Sequence, residues 1–87
     1  MLTDKLTAAE AVKQIGSAVA GNRRVLGVDG FRILPEGHKA ALDLILDVSN
    51  KQMTLEAAAA KTVELIRSNT ASDVVFEIVI ADAVDGS

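Results

Sequence analysis

The segment from Val74 to Val84, VVFEIVIADAV, constrains the fold of this chain more than any other stretch. Six of its first seven residues are apolar and most of those are β-branched, which is typical of a β-strand. Successive side chains of a strand point to opposite faces of a sheet, so both faces of this strand are apolar. We therefore expect it either to be covered on both sides or to pair within an oligomer.

The remaining core has to be built from aliphatic side chains. The 87 residues include two phenylalanines and no tryptophan, tyrosine or cysteine. An aromatic side chain buries about 150–250 Å² and aliphatic ones bury less, so the core is modest. Small domains with a modest core are often stabilised by self-association, and we expect a homo-oligomer. The lack of cysteine excludes disulfides and favours a cytoplasmic location.

Two helices are indicated by their capping residues. Thr7 and Glu10 have the spacing of a capping box, and apolar residues follow at helical intervals up to the Gly21-Asn22 pair. Thr54 is a suitable N-cap for a helix over LEAAAAKTVELIRS. An alanine-rich face allows another helix to approach that segment closely.

The middle of the chain predicts a hairpin and a further helix. Asp29-Gly30 suits a two-residue turn between the strand segments VLGV and FRIL, which would pair Val28 with Phe31. Pro35 then suits the first turn of a helix ending near Val48, because proline lacks the N–H that a first turn leaves free. That helix would be apolar on most sides, which predicts burial or contact with a second subunit.

The predicted fold class is α+β, in a single domain over residues 1–87. The expected order is α-β-β-α-α-β, with a three-stranded, mostly antiparallel sheet and the helices packed on one of its faces. Residues 81–87 are expected to form a frayed C-terminal tail. The N-terminal sequence lacks the features of a secretory signal, and no apolar run reaches the roughly 20 residues of a membrane helix.

Basic residues provide the clearest candidates for partner binding. Three of the four arginines precede or belong to the predicted hairpin, and Lys39 follows one turn into the predicted helix. If that hairpin forms, these side chains make one cationic patch that could bind an acidic protein or enter a DNA groove. The candidates are Arg23, Arg24, Arg32 and Lys39.

Catalytic, metal and cofactor sites are not predicted. His38 is the only histidine, and no serine lies in a nucleophile-elbow motif. The glycines match neither the dinucleotide-binding nor the P-loop spacing. A lone histidine with scattered carboxylates is too little for a zinc site. We therefore expect a protein that is not an enzyme and that has no cofactor.

Two functions follow from these patterns. The first is a non-enzymatic protein-binding or regulatory module that acts through protein–protein contact as a homodimer. Its interface candidates, taken from the apolar helix and the final strand, are Leu42, Leu46, Val75 and Val79. The alternative is a small nucleic-acid-binding regulator that uses the hairpin arginine patch. The net charge of −3 argues against a broad, nonspecific nucleic-acid surface.

Overall fold

A long β-hairpin forms the centre of the fold. The computed structural model describes residues 1–50 and 52–85, and its elements are α1 (Ala8–Ala20), β1 (Arg23–Leu34), β2 (Gly37–Asp47), α2 (Leu55–Arg67) and β3 (Val74–Val84). The strands form one antiparallel sheet in the order β2-β1-β3. The predicted α+β class is confirmed, but the element order is α-β-β-α-β, one helix fewer than predicted.

The predicted turn at Asp29-Gly30 and the predicted helix from Pro35 to Val48 are both wrong. Asp29 and Gly30 lie inside β1, and the chain instead turns at Pro35-Glu36. Gly37 follows that turn with a φ of 136°, a conformation that glycine adopts without a steric penalty. A short apolar run is compatible with a buried helix or with a strand, and here pairing with β1 selects the strand.

A bulge in β2 shifts its register against β1. Asp29 lies opposite Ile45, but Phe31 lies opposite Ala40, so the four residues 41–44 face the single residue Gly30. Ala41 and Leu44, the first and last of the four, are both buried in the core. The bulge therefore places two apolar side chains under the helices, where a regular strand alternates one in and one out.

The helix starts predicted at Thr7 and Thr54 are confirmed. The Thr7 hydroxyl accepts a hydrogen bond from the Glu10 backbone N–H at 3.2 Å, and the Thr7 N–H donates to Glu10 Oε1 at 3.0 Å. The Thr54 hydroxyl accepts from the Ala57 N–H at 3.0 Å. Neither α1 nor α2, among the described residues, is long and apolar enough to cross a membrane.

The helices pack against each other and against one face of the sheet, where the core lies. Alternate residues of β3 point into this core, as the strand pattern predicts. The largest fully buried side chains are Phe76, Ile15, Leu44, Ile66, Ile78, Val25, Val28 and Val48.

Residues 2–6 and residues 81–85 are both attached to the sheet. Residues 2–6 lie antiparallel beside β3, where the Leu6 N–H donates to the Phe76 carbonyl and the Leu6 carbonyl accepts from the Phe76 N–H. The predicted frayed tail is wrong for residues 81–85, because β3 continues to Val84 and the Asp85 N–H donates to the Asn22 carbonyl at 2.7 Å. Gly86 and Ser87 lie outside the described residues.

Candidate interaction surface

The sheet face opposite the helices carries an apolar surface, which we call the open face. Phe31 lies opposite Val75, and Asp29 lies opposite both Ile45 and Glu77, so the odd-numbered residues of this region share that face. None of its apolar side chains belongs to the core cluster. The open face is defined by Phe31, Ile33, Ile45, Val75 and Val79.

An ion pair lies at the centre of the open face. Lys5 Nζ is 3.0 Å from Glu77 Oε1, and the Glu77 side chain is only 14% exposed. The same ammonium lies 4.8 Å from the centroid of the Phe31 ring, within the distance of a cation–π contact. The Lys5 and Glu77 charges are thus partnered within the chain, whereas the side chain of Asp29, opposite Glu77 on the same face, has no hydrogen bond or ion pair within residues 1–50 and 52–85. A surface that covers this centre would have to supply Asp29 with a partner.

The four predicted interface residues lie on three different parts of the molecule. Val75 and Val79 are on the open face. Leu42 lies in the β2 bulge and is 87% exposed. Leu46 lies opposite Val28 on the helix-covered face and packs against the core. The helix assumption placed Leu42 and Leu46 one turn apart on one surface, whereas the bulge in β2 separates them.

Arg24 is a structural residue at the start of β1. Its guanidinium donates to both carboxylate oxygens of Asp85, at 3.2 and 3.1 Å, and also to the Met53 carbonyl. The Arg24 side chain is 13% exposed. Arg23 donates to the carbonyls of Ala81 and Asp82 in β3. These contacts attach the end of β3 and the segment before α2 to the beginning of β1.

Arg32 lies near the other end of β1 and pairs with the β2 bulge. Its guanidinium donates to both oxygens of Asp43, at 3.1 and 3.0 Å. This pairing raises the pKa of Arg32 and lowers the pKa of Asp43 below its ordinary value of 3.8. Lys39 is the Cα partner of Arg32 on β2.

The structure does not bring the four basic candidates together. Arg23 and Arg24 are about 30 Å along the strand from Arg32, at about 3.3 Å per residue. Lys39 lies beside Arg32, as its partner on the neighbouring strand β2. The basic residues therefore form two separate groups, and a single hairpin patch does not exist.

Sequence reasoning missed Ile45 and Lys5 at the open face. Ile45 was assigned to a helix, and Lys5 to no element. Glu77 was the one sequence signal of the ion pair, since a carboxylate within an apolar strand indicates a partner on the same face. Comparisons with protein-family models, with curated proteins and with solved structures find no significant match.

No group of three or more histidine, cysteine or acidic side chains is placed to hold a metal ion within residues 1–50 and 52–85. His38 lies opposite Ile33 beside the hairpin turn and is exposed.

Proposed function

We propose that this protein is a non-enzymatic protein-binding module with a regulatory role, and that it acts as a homodimer joined through its open face. The observation that carries the proposal is the apolar open face itself, which lies opposite both helices. Two sheets that pack face to face form a core about 10 Å thick from the side chains between them. A second copy supplies a surface of the same chemistry.

The size of the sheet is compatible with a stable dimer. The three strands extend about 36 Å over about 11 residues and the segment 2–6 extends about 17 Å over about five, each about 4.8 Å wide. The resulting area of about 600 Å² is at the lower end of the roughly 600–1,000 Å² that each partner contributes to a standard interface.

The test measures the mass of the protein in solution by light scattering and native mass spectrometry. The parent chain is expected to show twice its monomer mass of 9.1 kDa. Val79→Lys adds two charges to an apolar two-fold interface and should weaken dimerisation by about tenfold or more. Leu42→Lys is the matched control, since Leu42 lies in the bulge, and it should leave the dimer intact.

Two results would remove the proposal. One is a monomer mass for the parent chain at every concentration measured. The other is dissociation by Leu42→Lys together with an unchanged dimer in Val79→Lys, which would move the interface to β2.

The nucleic-acid-binding alternative has less support. Arg24 and Arg32 each bind a carboxylate of the same chain, and such pairing competes with phosphate contacts. The cytoplasmic location predicted from the cysteine-free sequence is part of the proposal.

A further inference from the structure

A groove at one end of the open face is lined by two of that face's residues, Ile33 and Val75. It has a volume of about 700 Å³ and lies between the start of α1, the end of α2, the loop at 70–72 and the start of β3. Its accessible apolar residues include Ala9, Val12 and Ile33, whereas Ile66 and Val74 are buried. Small-molecule sites typically have volumes of about 300–1,000 Å³ and largely apolar walls.

The polar groups around the groove favour an anionic ligand. Arg67 is the only charged residue among those that line it, and no acidic residue does. Within residues 1–50 and 52–85, the Arg67 guanidinium forms no hydrogen bond or ion pair, in contrast to Arg23, Arg24 and Arg32. Thr70 and Ser72 also line the groove and add hydroxyl donors. A carboxylate at this position would give Arg67 the partner it lacks.

The shape and chemistry of the walls favour an alkyl chain over an aromatic ring. The lining residues include no aromatic side chain on which a ring could stack. All apolar lining residues are alanine, valine or isoleucine, which suit contacts with a flexible alkyl chain. We propose that this groove binds a medium-chain alkyl carboxylate, with the carboxylate on Arg67 and the chain against Ala9, Val12 and Ile33.

Calorimetric titration of the intact protein with sodium hexanoate, octanoate and decanoate tests the proposal, at concentrations below micelle formation. Each added methylene should tighten binding by about fourfold, since burying a methylene contributes about 0.8 kcal/mol. Octanol, which has the same chain length without the charge, should bind at least about tenfold more weakly than octanoate.

Two variants in α2 test whether Arg67 binds the carboxylate of the ligand, and one variant in α1 tests where its alkyl chain lies. Arg67→Gln should weaken octanoate binding by about tenfold or more and leave octanol unaffected. Lys61→Gln removes another exposed cation of α2 that does not line this groove, and should change nothing. Ala9→Leu, at an exposed position of α1 that lines the groove, should abolish binding of both compounds by filling it.

Several outcomes would overturn the inference. They are no heat of binding for any chain length, equal affinity for octanol and octanoate in the parent protein, equal effects of Arg67→Gln and Lys61→Gln, or undiminished binding in Ala9→Leu. The groove shares Ile33 and Val75 with the open face, but Arg67 lies outside that face. Light scattering of the same samples therefore distinguishes the two proposals, because Arg67→Gln should weaken octanoate binding and leave the mass unchanged.

Discussion

The Leu44 side chain occupies the space that a side chain at Gly30 would need. A Cβ built on Gly30 would stand 2.3 Å from the Leu44 Cβ and 3.0 Å from its carbonyl oxygen. Leu44 is 1% exposed and belongs to the core, so it reaches its position only because residue 30 has no side chain. The glycine that resembled a turn residue in the sequence is therefore the residue that permits the β2 bulge.

We expect Gly30→Ala to destabilise the protein by about 1–3 kcal/mol, because the added methyl group forces the bulge or the core to shift. Urea denaturation followed by circular dichroism measures the change. A denaturation midpoint equal to that of the parent would mean that the bulge accommodates a methyl group, and would contradict this account of the packing.

Gly16→Ala is the matched control for that substitution. Gly16 lies within α1, and a Cβ built there meets no atom within 4 Å. Alanine in a helix interior is favoured over glycine by about 0.5–1 kcal/mol, so this variant should be more stable than the parent by about that amount. The two glycine substitutions should thus move the midpoint in opposite directions.

The second prediction concerns the contacts of Arg24. Arg24→Met keeps the aliphatic part of the side chain but leaves the Asp85 carboxylate and the Met53 carbonyl without their donor. We expect the free energy of unfolding to fall by about 1–2 kcal/mol. This is at the lower end of the range for a charged group left without its hydrogen-bond donor, because the Asp85 side chain is 34% exposed.

Arg23→Met serves as the control for Arg24→Met. Arg23 is exposed and donates only to backbone carbonyls, so its replacement should cost no more than about 0.5 kcal/mol. An equal loss in both variants would show that the bidentate pairing with Asp85 has no special role.

The third prediction is a loss of stability in acid. The hydrogen bonds from Thr7 lower the pKa of Glu10 below its ordinary value of 4.5, and Arg32 lowers the pKa of Asp43. Below the ordinary pKa values the unfolded chain binds more protons at these groups than the folded chain, so stability falls as the pH falls. The stabilisation by the ionised Glu10 and Asp43 carboxylates is complete above about pH 5. It is lost as the pH drops through their lowered pKa values.

Glu10→Gln isolates the part of this loss due to the capping box. The variant should show a shallower decrease of melting temperature between about pH 5 and pH 3 than the parent protein. Glu56→Gln changes the net charge equally, in the first turn of α2, and should retain the steeper decrease. A parallel pH profile for Glu10→Gln and the parent would contradict the assignment.

The parts of the fold that depend on local signals were predictable from the sequence. Thr7, Glu10 and Thr54 cap their helices as expected, because the capping interaction joins residues three positions apart. The start of β3 was predictable because its β-branched residues favour an extended strand.

The β2 strand was not predictable in this way. Leu42, Leu44, Ile45 and Leu46 form an apolar run whose period is broken by the bulge, so neither helix nor strand alternation fits it. On the open face, the positions of Val75 and Val79 followed from strand alternation alone. The presence of Ile45 and of the Lys5–Glu77 pair required the register between distant segments.

The β2 bulge also limits how copies of this chain can accumulate. A straight row of free amide and carbonyl groups at the margin of a sheet is a template for endless strand addition. Residues 2–6 occupy that margin on β3, and the four-residue bulge bends the ladder of β2 in its middle. The sheet thus exposes apolar side chains on a broad face, but within the part of the chain that the structure describes it has no long, regular edge to which further strands could add to form a filament.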